Sequence, residues 1–139
     1  MNLIESQKKS VKWRIPIKTI SEMNCNEHWT KKSKRHKQQQ FFVRVSYNNN
    51  CECISLPCTV KLTRLSPYCL DEDNLLAAFK YIRDELSECM IPEKTGSYIN
   101  KNGKIVKIKG RADSDPRIKW EYYQEKESEQ AIQIEIISN

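Results

Sequence analysis

The run Asn74-Leu75-Leu76-Ala77-Ala78-Phe79-Lys80-Tyr81-Ile82-Arg83-Asp84-Glu85-Leu86-Ser87-Glu88 has the clearest helical period in the chain. Leu75, Phe79, Ile82 and Leu86 recur three or four residues apart, and Lys80, Arg83 and Asp84 fall between them. Such a helix needs another element to cover its apolar stripe. Candidate strands lie on both sides of it. Val11, Trp13, Ile15 and Ile17 alternate with Lys12, Arg14, Pro16 and Lys18, and Pro16 assigns that strand to a sheet edge or a strand end. Cys58 to Leu65 alternates again, with Val60 and Leu62 on one face, and it stops at Ser66-Pro67. Arg117–Gln124 and Ala131–Ile137 read as two more strands.

Two segments depart from these simple patterns. Asn26 is placed to cap a helix from Glu27 through Gln40 toward Val45, whose only large apolar residue before Phe41 is Trp29. So polar a helix is either solvent-exposed and frayed or turned toward a ligand. Asn48-Asn49-Asn50 reads as an abrupt turn after it. Segment 93–111 is rich in Gly and Lys, and its Asn102-Gly103 between two short apolar runs predicts a projecting β-hairpin. The order of elements gives an α+β fold: a small mixed sheet, two main helices packed on it, and an inserted hairpin. At 139 residues the chain is one domain, 1–139.

Charge points to a partner. The net charge is +6, and it is uneven: residues 1–68 hold 13 basic and 4 acidic residues, whereas 69–139 hold 11 basic and 14 acidic. A basic half beside an acidic half suits a polyanion gripped by one part while the other does different work. No apolar run exceeds Leu75–Phe79, which excludes a membrane-spanning helix, and the first residues lack the apolar stretch of a secretion signal. The six cysteines are therefore expected to be reduced, in a cytoplasm.

The acidic half contains Leu70-Asp71-Glu72-Asp73-Asn74-Leu75, just where an extended segment enters the helix. If the backbone is extended there, Asp71 and Asp73 point to one side and Glu72 to the other. Paired carboxylates repel unless a proton or cation intervenes, and Mg²⁺ is the hard cation that suits them. The plainer alternative is a helix cap at Asp73, with Asp71 and Glu72 complementing the helix dipole. Asp113-Ser114-Asp115-Pro116 stands directly before a strand and is placed to deliver a third carboxylate, its plainer reading being an Asp-Pro turn. Carboxylates holding Mg²⁺ against a polyphosphate are what phosphodiester hydrolysis needs.

With these residues together, the sequence resembles the RusA-like Holliday junction resolvases, particularly their phage and prophage variants. The resemblance rests on Leu70–Leu75, Ala78-Phe79-Lys80, Arg83-Asp84, then Asp113-Ser114-Asp115-Pro116-Arg117-Ile118-Lys119-Trp120, Tyr122 and Gln124-Glu125-Lys126. Asn26-Glu27-His28-Trp29 with Lys34-Arg35-His36-Lys37 looks like the basic amino-terminal block of the phage variants, so the likeness runs from about Asn26 onward. It implies a RusA-like fold and a homodimer that nicks branched DNA such as a four-way junction. Asp71, Asp73 and Asp115 would be the metal-binding aspartates for Mg²⁺, with Mn²⁺ as a substitute, and Asp113 has a weaker claim. It further implies a cytoplasmic protein encoded by a bacterium or a phage. The sequence departs from the family in two places. The founding members carry a functional lysine where this chain has Ala77, a role Lys80 is placed to take, and relatives are shorter at 93–111.

Lys31, Lys34 and Arg35 share a helical stripe with Gln38, and together with Lys37 and Arg117 they are the expected DNA contacts. Their plainer reading is a solvated surface. A non-catalytic basic DNA-binding protein is the alternative function, with the acids as caps and turns only. Cys51, Cys53 and Cys58, or Cys25 with His28, match no standard zinc spacing.

Overall fold

A computed structural model describes residues 9–23, 26–51, 54–92, 97–107 and 112–139. Ser10–Ile15 (β1), Cys58–Ser66 (β2), Ile118–Lys126 (β5) and Ala131–Ser138 (β6) form a mixed sheet in the order β1-β6-β2-β5. β6 is antiparallel to both β1 and β2, while β2 and β5 are parallel. The antiparallel register aligns the alternating apolar positions: Trp13, Ile134 and Leu62 lie side by side, as do Val11, Ile136 and Val60. Both helices Trp29–Asn50 (α1) and Lys80–Met90 (α3) contribute to the core, through Val43 from α1 and Ile82 and Leu86 from α3. The expected α+β class with a small mixed sheet and helices is the observed fold.

The long predicted helix is two. Glu72–Ala78 (α2) ends at Phe79, where φ is −95° and ψ is 0°, and α3 begins at Lys80. The Phe79 N–H turns to the carbonyl of Leu76 at 3.2 Å, a tightened last turn. The two parts pack on different partners, α2 on β5 and α3 on α1, and fully buried Phe79 sits at the bend. Because of it, Lys80 does not continue the helix that carries Asp73.

α1 also differs from its expected limits. Its cap is His28, whose side chain accepts from the Thr30 N–H, and it continues to Asn50, so the three asparagines form its last turn instead of a break. Nor is it frayed. Gln39 and Val43 are buried, and Arg35 donates to both Glu22 and Glu27. Glu22 also meets the His36 ring nitrogen at 3.0 Å, and that ring stacks on Tyr81 of α3 with centroids 3.5 Å apart. Ion pairs and stacking replace the missing apolar stripe.

The hairpin is present as Ser97–Ile99 (β3) and Ile105–Lys107 (β4), a separate two-stranded sheet. Residues 93–96 and 108–111, together with Cys25 and Cys53, lie outside the described residues. Among the described residues, no helix is long and apolar enough to cross a membrane.

Candidate functional site

The acidic segment is held from both sides. Buried Arg64 of β2 donates from Nη1 to the Tyr68 carbonyl at 2.5 Å and from Nε to Thr19 Oγ1 at 3.1 Å. Two residues on, the Gln124 side chain bonds both backbone groups of Leu70, accepting from its N–H at 2.9 Å and donating to its carbonyl at 2.6 Å. These contacts fix the chain where it enters α2. Asp71 is the N-cap, its Oδ1 accepting from the Asn74 N–H at 2.9 Å and from Asn74 Nδ2 at 2.7 Å. Asn74 also contacts Ser21. The acidic segment therefore caps the helix as in the plainer reading, but from Asp71, two positions earlier than the expected Asp73.

Residues 72 and 73 are already helical, so Asp71 and Asp73 are separated by roughly 200° of helical turn and do not share the face an extended strand would give them. Asp73 is exposed on the first turn of α2. Lys80 is exposed too, its ammonium 5.4 Å from the centre of the Tyr81 ring.

Asp115 takes a different course. It is buried, and Arg117 returns to it: the backbone N–H donates to Oδ1 at 3.0 Å, Nε to Oδ1 at 3.1 Å and Nη2 to Oδ2 at 3.1 Å. This is the Asp-Pro turn of the plainer reading, closed by an ion pair. Among the described residues, no three Asp, Glu, His or Cys side chains are gathered so as to hold one metal ion. Asp71, Asp73 and Asp115 supply the right oxygen chemistry, but as placed they do not fit a shared Mg²⁺. Burial pushes the Cys58 thiol up to about 11, the opposite of a metal-ready thiolate.

What the fold does bring together is Asp113 and α3. Asp113 lies in the single turn Ala112–Ser114, and Arg83 of α3 anchors it, with Nε 3.3 Å from Oδ2 and Nη2 donating to its carbonyl at 3.0 Å. The same guanidinium donates from Nη1 to Tyr122 Oη at 2.7 Å and lies 4.8 Å from the centre of the Trp120 ring. Trp120 Nε1 completes the knot by donating to the Asp113 carbonyl at 3.0 Å. Asp84, next to Arg83, has its pKa raised by burial first and then by the negative charge of Asp113. Sequence reasoning gave Asp113 a secondary place and gave Asp84 none. The available signal was Arg83-Asp84 itself, a charged pair beside the apolar stripe of α3. Beside this acidic region, a groove of about 550 Å³ runs between α2 and β5, lined by Glu72, Leu76, Lys119, Trp120, Tyr122 and Tyr123 among others.

On the basic side, Lys31, Lys34 and Lys37 are exposed along α1 as expected of phosphate contacts. Arg35 is not such a residue. Its side chain is 17% exposed and bound to Glu22 and Glu27, so it fastens α1 to the preceding segment. The α1 surface also carries Trp29, Phe41, Phe42 and Val45, all exposed. Lys31, Lys34, Gln38, Phe41 and Val45 thus form one stripe that changes from basic to apolar along the helix.

Comparison with protein-family models, with curated proteins and with solved structures finds no match to this chain.

Proposed function

We propose that this protein is a divalent-metal-dependent, structure-selective DNA endonuclease that resolves four-way junctions, acting as a homodimer in a bacterial cytoplasm and encoded by the bacterium or by a phage. The observation that carries the reading is the packing of the second acidic segment onto α3. It sets Asp113 beside Asp84 at the far end of the bend from Asp71 and Asp73. Support also comes from the separate lysine stripe of α1, which suits a phosphate backbone. Asp71, Asp73 and Asp115 remain the residues assigned to Mg²⁺ or Mn²⁺ by the resemblance, and Asp84 is a further carboxylate, beside Asp113. A DNA phosphate drawing the Arg117 guanidinium away from Asp115 would break its two side-chain hydrogen bonds to that carboxylate, while the Arg117 backbone N–H keeps its bond to Oδ1. Lys80 supplies positive charge near Asp84. Cutting two strands symmetrically requires twofold symmetry, and exposed Phe41, Phe42 and Val45 offer an apolar surface for a second copy to cover.

A non-catalytic DNA-binding protein is the second reading. It is favoured by the Asp115–Arg117 pair and by Ala77 standing where founding relatives have lysine. Labelled four-way junctions incubated with Mg²⁺ decide between the two. The nuclease reading expects cleavage by wild type and none by Asp73→Asn. Salt-sensitive binding without cleavage, indifferent to Mg²⁺ and to Asp71→Asn, selects the second reading.

A further inference from the structure

The β3–β4 hairpin is a built element whose large apolar side chains Tyr98, Ile99 and Ile105 are not covered by any of the described residues. Its register sets Ile99 opposite Ile105 and Tyr98 opposite Val106, so the two pairs face opposite sides of the ribbon. Both sides are open: Tyr98 is 53% exposed, Ile99 72% and Ile105 75%. A two-stranded ribbon is marginal in water, and three large apolar side chains left in solvent call for a partner that covers them.

The tip, by contrast, is well made. Asn100 Oδ1 accepts from the N–H groups of Asn102 at 2.9 Å and Lys104 at 3.0 Å, and the Asn100 N–H donates to the Lys104 carbonyl at 2.9 Å. Gly103 closes the turn at φ +74°, a conformation in which a side chain would be strained. The turn therefore holds Lys101 and Lys104 at the end of a defined ribbon.

Charge identifies the partner. Residues 93–111 contain six basic residues and one acidic, while the rest of 69–139 contains five basic and thirteen acidic. The hairpin is a positive island in the negative half of the chain. Lysine is depleted from the cores of protein interfaces, which argues against a protein as the main occupant. A membrane-inserting hairpin would carry its apolar residues at the tip. Here the tip is Asn100-Lys101-Asn102-Gly103-Lys104, and the apolar residues lie on the shaft.

We propose that the hairpin is a wedge for branched nucleic acid. Ile99, Ile105 and Tyr98 press against bases unstacked at the branch, while Lys101 and Lys104 hold the flanking phosphates. This rests on DNA being the partner in the function proposed above, and it adds the element that distinguishes a branch from plain duplex.

The test uses the full-length protein and two double variants, Ile99→Ser/Ile105→Ser and Lys101→Gln/Lys104→Gln. Because these side chains are exposed, both variants are expected to melt with wild type. Binding is measured to a four-way junction with 2-aminopurine at the branch and to linear duplex of the same sequence, over a range of salt. The wild type should prefer the junction and raise the 2-aminopurine signal. The isoleucine variant should lose that rise and about tenfold of the preference, the scale of one base contact. The lysine variant should lower the salt slope by roughly 2, the share of two phosphates. If the wild type binds and cuts junctions but both variants match it in preference and signal, the wedge is overturned while the nuclease reading stands. If the variants change only oligomeric state or vesicle binding, the wedge is likewise overturned. If the wild type binds no DNA, both proposals fall.

Discussion

α1 and α3 lie against each other, yet they are held by different physics. α3 turns Ile82 and Leu86 into the core, and the Phe79 that precedes it is fully buried. α1 offers the core little beyond Val43 and is fastened by Arg35 to Glu22 and Glu27, by His36 to Glu22 and Tyr81, and by Arg44 to Glu85 at 2.6 Å. An apolar stripe commits one side of a helix to the protein. Fastening by a few charged contacts leaves the outer face of α1 free to carry exposed lysines and aromatics. The difference shows how a helix with almost no apolar period is kept in place while its surface remains available to a partner.

Several changes would test that contrast. Phe79→Ala should have the largest effect, about 3–5 kcal/mol of lost stability in urea unfolding, because it opens a cavity at the bend between α2 and α3. If the loss is below about 1 kcal/mol, the bend is not the core-packed point described here. Glu22→Gln should cost about 2 kcal/mol by leaving Arg35 and His36 with a weaker acceptor.

That contribution depends on pH. Burial works to raise the Glu22 pKa, but hydrogen bonds from Arg35 and His36 prevail and hold it below its ordinary value of 4.5. A carboxylate lowered by folding stabilises above its unfolded pKa, and the stability is lost as pH falls through the folded value. Thermal melts from pH 7 down to pH 3 should therefore show a shallower acid loss for Glu22→Gln than for wild type. Parallel curves would remove Glu22 as the fastening of α1.

Asp84 has the opposite sign. Its folded pKa is raised, so the ionised form is disfavoured by folding, and its contribution declines as pH rises through that value. Asp84→Asn should stabilise slightly at neutral pH, by less than about 1 kcal/mol given partial solvent screening, and at the same time lower junction cleavage. A variant that cleaves like wild type would detach Asp84 from the site. The smallest stability change is expected for Lys31→Gln/Lys34→Gln, within about 0.5 kcal/mol, with the salt slope of DNA binding reduced by roughly 2. A large stability loss there would contradict the free outer face of α1.

Much of this was legible in the sequence. Ile132, Ile134 and Ile136 alternate in β6 and are all fully buried, and the Val60–Leu62 alternation of β2 behaves in the same way. Asn102-Gly103 marked the hairpin turn, and Gly103 takes the positive φ that such a turn uses. The site was less legible. The period of Leu75, Phe79, Ile82 and Leu86 continues unbroken through the bend, because both helices bury the same stripe while packing on different neighbours. Arg35 sat on the basic stripe by spacing alone, and its two glutamates are contributed by the segment that packs back on α1.

Period, charge distribution and turn residues by themselves determined the strands, the core helix, the hairpin and the division into basic and acidic halves, because each is a local property of neighbouring residues. Which carboxylates meet was settled only by the tertiary structure. A side chain such as Asp113, Asp115 or Glu22 takes the nearest cation that the packed elements bring within reach, and that depends on partners far away in the chain or on the turn it closes.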